Sequence, residues 1–457
     1  MGINNLWPVV NSVSKRRSLF QFALEHMKVD VVGERLMANV ITIGIDMGTY
    51  MDELAKLLRV PANFVFVFDG PKRPEKKRGK TVQLNKPLWW VNPAQALIRH
   101  YGFIVHEAAG EAEAELAVLN RRGLIQAVMT SDSDALVFGA QTVLRSIPSS
   151  KRDEEDEVAE FEASQIEDKL GFTQSRLLFY ALAAGGDYNP GLPGCGQAYA
   201  SQLALAGVGD KLVPTSTQLK DYGLAECVKE WRTATSEDLL HHSYKVSRGA
   251  ERVLSNEIRV FPSIDILRLY INPVTSFSTP GERPSMSAWS TVQQPNVPAL
   301  VEFSRNHLGW SNPDNVKKTF ENNVWEGALV RLLYSPVCSW DAADRTVGTT
   351  LRRITLHESH LKVRRSPQWL SGQEWVRLAF SKDDVAENIM SGEDAGGGEG
   401  LFRVWAPSVL VPGYMVGLKA GQKRRGGEED SLQTKRRKVS EGVGKENTGL
   451  CIIDLTD

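Results

Sequence analysis

Between Val40 and Ala140 the chain alternates short apolar runs with stretches of mixed polarity. VITIGID, FVFVFDG, GFIVHEA and AVMTSDSD are rich in β-branched or aromatic residues and too short for helices, while the segments between them have helical composition. Strands alternating with helices predict a parallel sheet with crossover helices on both faces. Three of the four runs finish in acids: Asp46 after VITIGI, Asp69 after FVFVF, and Asp132 with Asp134 after AVMTS. In a parallel sheet these ends share one edge, the edge at which ligands of α/β folds gather. GEAEAELA adds Glu111, Glu113 and Glu115 at a helix start. Each cluster alone has an ordinary explanation in the helix dipole or in turn chemistry. Together they predict an acidic edge.

The first region, 1–150, is followed by a second, 151–272. It begins with DEEDEVAEFE, Asp153 to Glu162, which reads as a solvated loop or helix face. A helix is predicted from an N-cap at Thr173 through SRLLFYALAA to a stop at Gly185 or Gly186, with Asp187 directly after it. Gly191, Gly194 and Gly196 then surround Pro193 and lead into a helical stretch, Gln197 to Ala206. Such a turn either presents backbone N–H groups to a phosphate or turns a corner between two helices. Residues 273–319 read as a linker, richest in Pro, Ser and Thr up to Pro298. VWEGALVRLLY, LRRITLHESHLKVRR, EWVRLAF and LFRVWAPSVL read as short strands of a small β-rich module, 320–417. The polar remainder, 418–457, has little to bury and is expected to be disordered.

Composition narrows the chemistry. At 457 residues the chain has room for several domains. A net charge of −1 excludes no partner, since a basic DNA-binding face and an acidic metal site cancel in the sum. Cys195, Cys227, Cys338 and Cys451 lie far apart and fit neither a disulfide framework nor paired metal-ligand spacing, so an intracellular setting is expected. No apolar run approaches the roughly 20 residues needed to span a bilayer. MGINNLWPVV lacks the order of a signal peptide, and Leu6 stands where a myristoylation signal after Gly2 wants Ser or Thr. Neither membrane nor secretion is expected.

The acids remain. Asp46, Asp69, Glu111, Glu113, Asp132, Asp134 and Asp187 would repel one another in a single cleft unless hard cations neutralised them. Oxygen donors without supporting His or Cys indicate Mg²⁺ or Mn²⁺. Two such ions roughly 3.5 to 4 Å apart would activate a water and stabilise the leaving oxygen of a phosphodiester.

MGINNLW, VFVFDG, GEAEAELA, TSDSDALVFGA and GGDYNPGLPGCG occur in that order over most of residues 1–270. In this the chain resembles the structure-specific 5′ nucleases, the flap endonuclease and XPG-like family. FDGPKRPEKKRGK and the β-rich module are most similar to fungal GEN-type Holliday-junction resolvases, whose nuclease is followed by a chromodomain. The resemblance implies a PIN-like 5′ nuclease core: an α/β fold with a mostly parallel central sheet and helices on both faces. It further implies a helix-two-turn-helix subdomain around the glycine turn, a chromodomain-like module and a disordered tail. The implied activity is a nuclease that uses two Mg²⁺ ions, with Mn²⁺ as substitute, to cut branched duplex DNA in repair and recombination, leaving a 5′ phosphate, with dimerisation on four-way junctions.

Carried over position by position, Asp46, Asp69, Glu111, Glu113, Asp132, Asp134 and Asp187 match the family's metal-site acids. Helix geometry alone pairs Glu111 with Glu115, one turn apart; the resemblance selects Glu113, which requires Glu111 to sit at an extended helix start. The family keeps a basic helix after the second acid, whose lysine contacts the scissile phosphate. Lys77 matches that catalytic lysine, with Lys76 and Arg78 as rivals in register and as DNA contacts. Gly191, Gly194 and Gly196 match the helix-two-turn-helix that grips duplex backbone, often with K⁺, and Gly2 matches an N-terminal glycine near the DNA path.

One departure stands out. Only 22 residues separate Asp46 from Asp69, where the family has a helix, a wedge loop and a second helix, so DMGTYMDELAKLLRVPANF reads as two helices fused into one. Two other readings therefore stand beside junction resolution. A plain flap endonuclease is disfavoured by the missing clamp-binding motif, and a junction-binding scaffold without catalysis is disfavoured by the retention of all seven acids. In the tail, Lys423–Arg425 and Lys435–Lys438 read as a bipartite import signal, giving a nuclear localisation. CIIDLTD, with Ile452, Ile453 and Leu455, reads as a SUMO-interacting motif that would add an edge strand to its partner.

Overall fold

The computed structural model describes residues 2–32, 35–47, 54–77, 79–82, 89–147, 157–212, 221–278, 289, 291–335, 338–349, 353–362, 375–389 and 400–415. Both basic tail clusters, Ile452, Ile453 and Leu455 lie outside the described residues, as do Arg78 and residues 48–53 of the shortened segment. What is described of that segment includes a single helical turn, Leu54–Leu57.

Strands are numbered in chain order: β1 (Lys15–Ser18), β2 (Lys28–Val32), β3 (Arg35–Asn39), β4 (Ile41–Asp46), β5 (Ala62–Phe68), β6 (Lys76–Lys77), β7 (Lys80–Thr81), β8 (Ile104–Glu107), β9 (Ala127–Met129), β10 (Thr142–Ser146) and β11 (Glu157–Glu162). Seven form one sheet in the order β1-β11-β10-β9-β4-β5-β8. The strands from β10 to β8 run parallel, and β11 and β1 extend the other edge antiparallel. All four apolar runs are strands of this sheet. Ile41, Ile43, Ile45, Phe64, Phe66 and Phe68 belong to one buried core and Val65 and Val67 to another, which explains why these strands read as unbroken apolar runs. The chain adds β5 and β8 on one side of β4, then β9 and β10 on the other. The ends of β4 and β9 therefore flank the switch in strand order, where α/β sheets open a crevice.

The structure corrects three readings. DEEDEVAEFE is no solvated face from Glu157 onward: it is β11, with Val158 and Phe161 buried. Lys15 meets Glu162 at 2.6 Å, Arg17 meets Glu160 at 3.0 Å and Arg16 pairs with Glu157, so opposite charges join KRRS to EVAEFE across an antiparallel pair. The stretch 273–319 is not linker throughout, since Val297–Leu308 and Pro313–Phe320 are helices capped by the side chains of Asn296 and Asn312. VWEGALVRLLY is helical, a π turn Glu321–Trp325 running into the α-helix Glu326–Leu333.

The β-rich module follows that helix. Strands β12 (Ser339–Asp341), β13 (Thr346–Gly348), β14 (Arg353–Lys362), β15 (Trp375–Ser381) and β16 (Leu401–Pro407) form an antiparallel sheet in chain order, with the helix Lys382–Ile389 after β15. Its buried residues, including Val347, Leu378 and Val404, belong to the same hydrophobic core as β4 and β5. Arg331, fully buried, fastens the joint by donating to the carbonyls of Gln293, Ala62 and Gly102. Trp325 packs its ring on Phe402 at 5.5 Å. No described helix is long and apolar enough to cross a membrane.

Candidate active site

Short polar turns deliver the acids to the sheet edge. Asp46 closes β4 and accepts a hydrogen bond from Thr130 Oγ1 at 2.9 Å, tying β4 to the loop after β9. In that loop the Asp132 N–H donates to Thr130 Oγ1 at 3.0 Å and the Asp134 N–H to Asp132 Oδ1 at 2.9 Å. Asp69, after β5, accepts from the Ala112 N–H at 2.9 Å and so holds the start of the helix Ala112–Arg121, while Arg73 stands 3.5 Å from its other oxygen. Glu111 is the N-cap of that helix, with extended backbone at φ −85° and ψ 143°. Extension there lets Glu111 share the site with Glu113. Glu115 turns away, bound by His106 at 3.1 Å and the Ser276 N–H at 2.8 Å. Asp187 follows the helix Gln174–Ala184, capped by Thr173 and closed at Gly185.

Lys77 gathers three of these acids. Its Nζ lies 3.1 Å from Glu111, 3.2 Å from Asp187 and 3.5 Å from Glu113. A two-strand hairpin, β6 with β7, carries it in place of the basic helix implied by resemblance. Pro74 and the left-handed Gly79, at φ +70°, oppose a helix there. Lys76, the neighbouring rival, is exposed. Burial works against the Lys77 ammonium, but Glu113, Glu111 and Asp187 outweigh it and hold its pKa above the ordinary lysine range.

The carboxylates are under strain of charge. Burial, then Asp132 and Asp187, push Asp134 well above the usual carboxylate range. Burial and Asp46 do the same to Glu113, with Lys77 opposing. Asp132 and Glu111 are raised chiefly by burial. Both oxygens of Asp134 are buried without a hydrogen-bond partner. Among the described residues no three acidic, His or Cys side chains are drawn into a cage for a metal ion, and Lys77 stands between Glu111, Glu113 and Asp187. An oxygen-only donor set with an unpaired buried carboxylate fits a hard divalent cation, since such a charge needs a counterion.

The N-terminus lines the same site. Ile3 donates its N–H to Ser133 Oγ at 2.9 Å, Trp7 Nε1 to the Ser131 carbonyl at 3.0 Å, and Asn4 N–H to the Gly185 carbonyl at 3.0 Å. Gly2 sits at φ +88°, and a Cβ on it would stand 2.1 Å from Asp132 Oδ1 and 2.7 Å from Asp134 Oδ1. The glycine turn is mixed in purpose. Gly191 packs inward, where a Cβ would meet the Ala183 carbonyl at 2.7 Å, whereas Gly196 faces open space. Gly194 is left-handed at φ +76°, and no side chain caps the helix Gln197–Leu205 that Gly196 begins.

Sequence reasoning missed three neighbours of the acids. Thr130 braces Asp46, Tyr188 donates its hydroxyl to Glu111, and Tyr270 stacks edge-on against Tyr188 with ring centroids 4.9 Å apart. Tyr188 had a signal, its place directly after Asp187. Tyr270 had none, because it arrives from the distant helix Ile264–Ile271.

Residues 102–187, which hold five of the seven acids, match the XPG I-region family. The chain is 27% identical over 244 residues to the mouse (Mus musculus) flap endonuclease GEN homolog 1, covering 48% of this chain and 26% of that one. It is 37% identical over 119 residues to flap endonuclease GEN-like 1 of Arabidopsis thaliana, covering 26% of this chain and 19% of that one. The matched region spans about a quarter or less of these relatives' lengths. In fold, the chain is similar to a Holliday junction-resolving enzyme GEN1 in complex with product DNA and Mg²⁺, with TM-score 0.64 and 23% identity over 92% of this chain and 98% of that one. A eukaryotic junction-resolving enzyme GEN-1 binding potassium is similar at TM-score 0.64, with 23% identity over 90% of this chain and 96% of that one.

Proposed function

We propose that this chain, with its match to the XPG I-region over residues 102–187 and its similarity to GEN-type flap endonucleases, is a divalent-metal-dependent endonuclease of that family that cuts branched DNA, Holliday junctions and 5′ flaps included. The observation that carries the reading is the unpaired buried carboxylate of Asp134 among acids gathered at the strand-order switch. Asp46, Asp69, Glu111, Glu113, Asp132, Asp134 and Asp187 would hold two Mg²⁺ ions, or Mn²⁺ in their place. Bound there, the ions supply a water activated as nucleophile and charge stabilisation at the leaving oxygen.

The protein's own groups do the rest. Lys77 is a catalytic cation for the scissile phosphate: its hairpin sets an ammonium among the acids, within reach of an anion that enters between them. Asp69 and Arg73 keep the helix start of Glu111 and Glu113 in register. Lys76 and Gly2 lie beside the site as DNA contacts, with Arg78 next to Lys77 in sequence. Gly194, Gly196 and the uncapped helix start grip duplex backbone, with K⁺ at the same turn, while Gly191 serves the packing of that turn.

Further proposals rest on sequence: dimerisation on four-way junctions, a chromodomain-like role for the β-rich module, action in the nucleus in DNA repair and recombination, and SUMO binding through Ile452, Ile453 and Leu455. A second reading, junction binding without cleavage, draws on the short segment between Asp46 and Asp69. End-labelled Holliday junction, 5′ flap and linear duplex, incubated side by side with Mg²⁺ and with EDTA, separate these readings. Cleavage of the branched substrates with Mg²⁺ alone is expected. Binding of junctions without cleavage supports the second reading, and cleavage confined to flaps makes the protein a plain flap endonuclease.

A further inference from the structure

Two orphaned groups lie among the same acids. Asp134 has two buried acceptor oxygens without a partner, and Tyr270, 3% exposed, has a buried hydroxyl without one. The Tyr270 ring is fixed by Tyr188 at 4.9 Å and by Phe138 at 5.8 Å, so the hydroxyl cannot swing to solvent without breaking that packing. It lies against the backbone directly before Asp187, since a Cβ on Gly186 would come within 3.4 Å of it. The charges it feels beyond burial are those of Asp134, Asp187, Glu111 and Asp132. Buried polar groups in folded proteins are nearly always satisfied. A donor and an acceptor left open among the same acids, and not bonded to each other, call for a guest that can satisfy both. A hydrated cation does so: the carboxylate takes the ion, and a water on that ion meets the hydroxyl.

We infer that Tyr270 is a positioning residue for a divalent cation at the Asp132, Asp134 and Asp187 side of the site, acting through a water of the ion's hydration shell. The inference rests on the metal-site reading given above. It assigns a role to a side chain from the helix Ile264–Ile271, which none of the acidic motifs contains. Tyr188 differs in kind, because its hydroxyl is already bonded to Glu111.

The test is Tyr270→Phe in the full chain, which keeps the ring and removes only the hydroxyl. Mg²⁺ affinity is measured by calorimetry without DNA, and melting curves are recorded in EDTA and in Mg²⁺, beside wild type and Asp134→Asn. In EDTA the variant is expected to melt at or above the wild-type temperature, because an unsatisfied buried group has been removed. Its Mg²⁺ affinity is expected to fall about tenfold, as for other groups that orient a metal's surroundings. A wild-type affinity in Tyr270→Phe overturns the inference while leaving the metal site standing. A lower melting temperature in EDTA also overturns it, since the hydroxyl would then have a protein partner. If wild type binds no Mg²⁺, or Asp134→Asn binds as tightly as wild type, the metal reading itself falls and the inference with it.

Discussion

Asp134 is 1% exposed with both oxygens unpaired, while Lys77 pairs with the nearby acids Glu111, Glu113 and Asp187. Asp134→Asn removes an uncompensated charge, so in EDTA the variant is expected to be more stable by about 1 kcal/mol or more. Added Mg²⁺, which should raise the wild-type melting temperature, should then have little effect. Lys77→Ala does the opposite. It removes the cation paired with Glu111, Glu113 and Asp187, for an expected loss of about 3 kcal/mol in EDTA that Mg²⁺ largely restores. In single-turnover assays its rate should fall more than its DNA affinity; a change in affinity alone would make Lys77 a positioning contact. The pH dependence follows from the raised pKa values of Glu113 and Asp134. The folded protein keeps their protons after the unfolded chain has released them, above about pH 4. Their contribution to metal-free stability therefore declines as pH rises from there, and the stabilisation given by Mg²⁺ should grow over the same range. Melting curves across pH, with EDTA and with Mg²⁺, check the sign.

Elements differ in how far they were legible. β4, β5 and β9 sit inside the sheet, so their sequences are apolar runs and their acidic ends mark the site edge, while β8 is the half-buried edge strand beside β5. β1 and β11 lie at the sheet's margin and pair through charges, and charge complementarity between distant segments leaves no local pattern to read. VWEGALVRLLY failed for another reason: all of Gly327 to Leu333 is buried, and a short run apolar on every side does not distinguish a helix from a strand. Of the glutamates, helix spacing alone favoured Glu115, and only the extended N-cap at Glu111 brings Glu113 to Lys77 instead. At the glycine turn, Gly194→Val forces a β-branched residue into a left-handed position, φ +76°. It is expected to weaken binding to every duplex-bearing substrate alike, because backbone contacts carry no sequence or branch information. Gel shifts at wild-type affinity would remove this turn from the DNA interface.

At the scale of the molecule, the β-rich module and the sheet share one core, joined by the helix Glu326–Leu333 and the buried Arg331. A fragment 1–272 would lose the part of the core beside β4 and β5 that Val297, Leu300, Trp325, Leu329 and the module supply, and is expected to lose cooperative melting, as followed by circular dichroism. A fragment that melts as sharply as the full chain would make the module an independent appendage. The central claim is that acids brought to one sheet edge hold metal for phosphodiester cleavage. Its most direct measurement is cleavage of a 5′-labelled Holliday junction by wild type and by Asp134→Asn at matched DNA occupancy, with Mg²⁺ and with EDTA. Wild type should cut with Mg²⁺ alone, and the variant should bind the junction within several-fold of wild type yet leave it intact. Cutting by Asp134→Asn at near the wild-type rate, or by wild type in EDTA, would contradict the claim.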